Sequence, residues 1–120
     1  MKHNKILGAF GEECAAAYLQ RKGYKIIHRN YTVDLGEIDI ISAYKDMLVF
    51  LEVKTRRSMI YGHPSQAVNH YKQLKIIQVA QCYLQQTCQY NKICRFDVME
   101  VFYRSKEDFQ VNHIENAFEL

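Results

Sequence analysis

The chain has 120 residues, 48% hydrophobic and 24% charged, with a formal net charge of +3 and a pI near 8.6, which suits a single domain spanning residues 1–120 with a modest core. That charge permits an anionic partner without demanding one, because it falls short of a strongly basic nucleic-acid binder. The longest apolar run, MLVFL, is too short to cross a bilayer, and MKHNKILGAFGEE reaches acids too early for a signal peptide, so the expectation is a cytoplasmic protein with no membrane contact.

Residues 5–21, KILGAFGEECAAAYLQR, have alanine-rich helical composition, and Gly23 fits a helix C-terminus. Residues 24–33, YKIIHRNYTV, are rich in β-branched and aromatic types and predict a strand. Two apolar strands follow at about 37–43 and 47–55, joined by a polar turn at Lys45-Asp46. A basic loop, TRRSMIYGHPS, carries the only proline, and residues 65–68 fit a short turn. Asn69 is placed as the N-cap of a helix running to about Gln86, with Leu74, Ile77, Ala80/Gln81 and Leu84 as its apolar stripe. Strands at about 93–103 and 109–114 close the chain. The order α-β-β-β-α-β-β predicts an α/β fold with a mixed sheet. Cys14, Cys82, Cys88 and Cys94 lack the spacing of a zinc site; they are expected to be unpaired, small buried apolar residues, with Cys88, in a loop, as the exception.

The hairpin carries the chemistry. With Lys45-Asp46 at the turn, Ala43 faces Leu48, Ile41 faces Phe50, Asp39 faces Glu52 and Glu37 faces Lys54. The other face pairs Ile40 with Leu51 and Ile38 with Val53, so a one-residue slip would mix the two sets. Strands apolar on both faces belong inside a sheet covered on both sides. Asp39 and Glu52 then become an opposed pair with Cβ atoms about 5 Å apart, and like charges there are destabilising. Such a pair needs a cation, a shared proton or much water. Mg2+, or Mn2+ in its place, suits one or two carboxylates together with a substrate phosphate. Lys54, on the same face, could activate water or steady developing charge. The alternative is solvated strand ends, with Lys54 neutralising the acids; Glu37 is taken as rim charge.

On the first helix Gly8, Gly11/Glu12, Ala15 and Leu19 form a stripe whose small residues suggest close packing. Glu12 on that stripe either completes a metal site with Asp39 and Glu52 or pairs with Arg29 or Lys25; Glu13 points elsewhere and is taken as solvated.

Gly8-x-x-Gly11-Glu12-x-x-Ala15-x-x-Tyr18-Leu19, Gly23-Tyr24, Gly36-Glu37-Ile38-Asp39 and Phe50-x-Glu52-Val53-Lys54-Thr55-Arg56 resemble the YraN-like family, uncharacterised protein family 0102. The similarity continues through Ala67-Val68, Lys72, Ala80, Tyr83-Leu84 and Arg95-Phe96-Asp97-Val98. That family looks like a minimal branch of the PD-(D/E)XK nuclease superfamily, similar to archaeal Holliday junction resolvases. The resemblance implies a restriction-endonuclease-like core, a mixed β-sheet flanked by helices. It places Asp39, Glu52 and Lys54 at the active-site positions and Glu12 at the helix-borne acid, with Ile38 where the superfamily's name has proline; Gln66 and Lys72 would approach the same site.

Together these readings give a metal-dependent endonuclease acting on structured or branched DNA. Asp39, Glu52 and Glu12 would be its metal ligands, with Lys54 beside them. Arg56, Arg57 and Lys72 would contact backbone phosphates, which position nucleic acid without reading sequence. Lys75 joins them, although a solvated face is the plainer reading for both helical lysines. The alternatives are a nucleic-acid-binding module with little or no cleavage and a small assembly protein pairing through a sheet edge; resolvase-like relatives suggest a homodimer. Arg95 and Asp97 share a strand face and read as a structural ion pair. His63, His70, His28 and His113 carry no ligand spacing. Tyr61 and Tyr71 could stack on bases, with core or rim packing the default.

Overall fold

A computed structural model describes residues 2–57 and 68–119. Tyr61, His63, Gln66, Ala67 and the expected turn's residues before Val68 lie outside the described residues. The elements run α1 (Lys2–Arg21), β1 (Lys25–Val33), β2 (Gly36–Tyr44), β3 (Met47–Arg56), α2 (His70–Gln86), β4 (Ile93–Ser105) and β5 (Asp108–Phe118), the order expected from the sequence. The strands form one sheet in the order β1-β2-β3-β4-β5. Among the described residues only β3 and β4 pair in parallel, and parallel neighbours require a long crossover, which contains α2.

Both helix ends follow the sequence. At α1, the Gly23 N–H donates to Gln20 O at 3.1 Å and the Tyr24 N–H to Leu19 O at 3.0 Å, with Gly23 at φ +95. These bonds close a left-handed glycine cap that ends the helix. At α2, Asn69 Oδ1 accepts the Lys72 N–H at 2.8 Å.

Alternation along β3 divides the core. Val49 and Leu51 face α1, where they pack with Ala15, Ala16, Leu19 and Met99. Leu48 and Phe50 face α2, with Ile76, Val79, Ala80, Tyr83 and Phe96. The central strands are therefore covered on both faces, which accounts for their apolar runs.

Three expectations are corrected. The buried face of α2 is Ile76, Ile77, Val79, Ala80 and Tyr83, while Leu74 is 47% exposed. At 100° per residue Leu74 lies about 200° from Ile76, and a face that includes Ile76 and Val79 buries more apolar area than one through Gln81. β4 and β5 run further than expected, to Ser105 and Phe118, because bulges between Phe96 and Val98 and between Tyr103 and Ser105 let pairing continue past polar residues. All four cysteines are unpaired, but Cys14, Cys82 and Cys94 are half-buried rather than core residues, and Cys88 is exposed. No helix among the described residues is long and apolar enough to cross a membrane.

Candidate active site

The β2–β3 ladder has the register expected, from Tyr44↔Met47 through Ile41↔Phe50 to Ile40↔Leu51. It stops one step before Asp39 and Glu52. There Asp39 Oδ2 accepts the Val53 N–H at 2.8 Å, so a side chain occupies the place of a backbone acceptor. Asp39 and Glu52 are each only 7% exposed. Burial, followed by the hydrogen bond and charge of Glu52, pushes the Asp39 carboxyl up to about 9; the Val53 N–H opposes the rise and the charge of Glu12 adds to it. Without a cation, therefore, the protonated form of Asp39 is favoured well above the usual carboxylate range.

Two cavities meet at Asp39. The larger, about 610 Å³, lies on the α2 side and also takes in Glu52, Lys54, Tyr71, Lys72 and Lys75. The smaller, about 210 Å³, lies on the α1 side and brings in Glu12 with Gly8, Val53 and Thr55. The glycines differ in purpose. A Cβ on Gly11 would stand 1.8 Å from Thr55 Oγ1, so glycine there lets α1 close onto β3. A Cβ on Gly8 would meet nothing within 4 Å, since that position faces open space.

Of the other residues singled out in sequence, Lys54 lines the larger cavity beside Glu52. Lys72 Nζ lies 2.9 Å from Glu52 Oε2, and that bond raises its pKa. In this state Lys72 is a counter-ion for the acid pair rather than a free phosphate contact. Arg56 Nε stands 3.6 Å from Glu100 Oε2. Arg57 is exposed and lines a separate apolar pocket with Phe10 and Tyr103. Glu37 is exposed at the cleft rim, where Thr32 Oγ1 donates to it at 3.3 Å. It is Glu13, not Glu12, that pairs with Arg29, both carboxylate oxygens lying 3.1 Å from Nη1. Glu13 is thus a partner and not merely a solvated acid.

Two features were missed in sequence. Glu100 is fully buried directly across from Lys54, with Asn112 Nδ2 donating to its Oε1 at 3.1 Å. The expected Arg95–Asp97 pair is bidentate, at 2.9 and 2.8 Å, but it is joined by His113 Nε2 at 2.7 Å and the Asn116 N–H at 2.9 Å. Once β5 is set against β4, His113 lies opposite Met99, two residues from Asp97; without that register the histidine carries no signal.

A divalent ion fits Asp39 and Glu52 by donor chemistry, because two hard oxygen donors crowded on a buried sheet lack a charge that a cation supplies. Among the described residues no group of three His, Cys, Asp or Glu side chains is close enough to hold a metal alone. Glu12 lies on the α1 side of Asp39, where its charge reaches that carboxyl, and the remaining coordination of a cation would fall to water.

A family model described as "Uncharacterised protein family UPF0102" matches residues 11–101. A UPF0102 protein of Caldanaerobacter subterraneus subsp. tengcongensis is 45% identical over 118 residues, 97% of each chain. One from Clostridium botulinum is 46% identical over 119 residues, 98% of this chain and 97% of its own. Another, from Alkaliphilus oremlandii, is 49% identical over 121 residues, 96% of this chain and 99% of its own.

Proposed function

The chain belongs to the uncharacterised protein family UPF0102, and from its cleft we propose a metal-dependent endonuclease that hydrolyses phosphodiester bonds in structured or branched DNA. One observation carries this reading: two buried carboxylates, Asp39 and Glu52, crowd each other in an open cleft that also takes Lys54, Lys72 and Lys75. A fold gains nothing in stability from two adjacent buried acids. Three lysines around them offer a path for a polyanionic backbone.

Asp39 and Glu52 would hold Mg2+ or Mn2+, which supplies Lewis acidity and an activated water when bound. Glu12, across Asp39, adds negative charge that favours the cation there. Lys54 stands on the strand beside Glu52, where its ammonium stabilises charge growing on the phosphate oxygens as water adds and one P–O ester bond breaks. The Val53 N–H holds Asp39 Oδ2 in place, and the buried sheet beneath keeps both acids from turning away. Lys75 on α2, which lines the cleft, supplies a backbone contact that orients without reading sequence, whereas Arg56 is held beside Glu100 and Arg57 lines a separate pocket.

One observation favours a second reading, a nucleic-acid-binding module with little or no cleavage: Lys72 already neutralises Glu52 at 2.9 Å. In the nuclease reading this lysine moves to phosphate as metal and DNA arrive. Labelled four-way junction, linear duplex and single strand, incubated in Mg2+ or Mn2+ and in EDTA, separate the two. Metal-dependent cutting abolished by Lys54→Ala supports the nuclease; salt-sensitive binding without cutting supports the module.

A further inference from the structure

Phosphate chemistry makes no use of the apolar rim of the cleft. Tyr71, in the first turn of α2, is 62% exposed, and Leu35, in the turn between β1 and β2, is 45% exposed. Both line the cleft that holds Asp39 and Glu52. Tyr71 does not belong to the helix's buried face, which begins at Ile76. Core packing therefore does not account for it. Leu35 is presented by a turn that ends at Gly36, whose φ of +150 suits glycine and few other residues. Lys75 Nζ sits over the Tyr71 ring, 5.5 Å from its centroid, so a cation covers one face and the other face is left for a ligand.

The rim and the floor of this cleft suit different parts of one ligand. Carboxylates and lysines deal with a phosphate; an exposed phenol ring and an isobutyl group offer area to a flat, weakly polar ring. A nucleotide has both. In an intact duplex the base faces are covered by their neighbours, so a base lies on Tyr71 only after leaving the stack. A base–aromatic contact of this kind tolerates any sequence, since every base has a π-face.

We propose that Tyr71 is the base-stacking residue of this cleft, and that its ligand is nucleic acid with an unpaired nucleotide beside the phosphate held at Asp39 and Glu52. This rests on the nuclease reading and narrows it to DNA with flaps, gaps or unpaired nucleotides at a branch point rather than continuous duplex.

The test is fluorescence and affinity with DNA carrying 2-aminopurine in a single-stranded flap, against the same base inside blunt duplex, in Mg2+ and in EDTA. Wild type and Tyr71→Phe are expected to quench the flap probe and prefer it over duplex. Tyr71→Ala is expected to lose the quenching and about tenfold of that preference, equivalent to ~1.4 kcal/mol, with duplex affinity unchanged. Equal affinity of wild type for flap and duplex, or an equal loss on both in Tyr71→Ala, overturns the stacking role while leaving the nuclease reading intact. Failure of wild type to bind any of these DNAs overturns both. Melting curves of the three proteins exclude unfolding as the cause, and Tyr71→Phe keeps the ring while removing only the hydroxyl.

Discussion

Replacing Asp39 by asparagine is expected to make the metal-free protein more stable at alkaline pH. The Asp39 carboxyl, ordinarily near 3.8, is pushed up to about 9 by burial and by Glu52. A carboxyl raised in the folded state keeps its proton where the unfolded chain has lost it, so stability falls as pH climbs from about 4 towards 9. Each unit is equivalent to about 1.4 kcal/mol, and the three units between pH 5 and 8 set a ceiling of about 4 kcal/mol. The open cleft admits water, and Lys72 is close enough to answer part of the charge, so about 1–3 kcal/mol is expected. An amide at this position still accepts the Val53 N–H and carries no charge to set against Glu52. Thermal melts in EDTA should show Asp39→Asn close to wild type at pH 5 and about 5–10 °C higher at pH 8. Parallel curves at the two pH values, or a variant less stable at both, would refute the picture of two crowded acids.

Lys72→Ala leaves Glu52 without its cation and should lower the melting temperature by about 2–5 °C in EDTA; saturating Mg2+ should narrow that deficit. Gly11→Ala drives a methyl into Thr55 and should cost about 1–3 kcal/mol in urea melts, whereas Gly8→Ala, facing open space, should gain up to about 1 kcal/mol. Burial alone would raise the Asp97 carboxyl, but His113, Arg95 and the Asn116 N–H outweigh it and hold it below the ordinary 3.8. A lowered carboxyl contributes stability above its unfolded pKa and loses it in acid. Asp97→Asn should therefore cost about 3–5 kcal/mol at pH 7, and its deficit should shrink in urea melts below pH 4.

What was legible in the sequence is local or periodic. Strand alternation set the hairpin register because any slip would have put apolar side chains on the wrong face, and that register brought Asp39 towards Glu52. Gly23 and Asn69 announced their helix ends through backbone requirements that few residues meet. What was not legible depends on where distant elements dock. The Lys72–Glu52 bond, Glu100 behind Lys54, and His113 on Asp97 each join residues from separate elements, and no spacing along the chain encodes such a meeting. On α2, Ile77 and Ala80 are buried as the stripe predicts, but Leu74 is not, because Leu74 satisfies helical spacing as well as Ile76 does and only the sheet beneath decides between them. Likewise, that Asp39 would end the ladder by accepting the Val53 N–H follows from side-chain geometry rather than from pattern.

Cleavage of a labelled four-way DNA junction, followed as a single-turnover rate in Mg2+ for wild type and Asp39→Asn side by side, tests the role of the acid pair most directly. A metal-held site on Asp39 and Glu52 requires cutting by wild type that stops in EDTA and falls by at least about a hundredfold in Asp39→Asn, while junction binding persists. Cutting that survives the substitution, or wild-type protein that binds the junction without cutting it in either Mg2+ or Mn2+, would contradict that site.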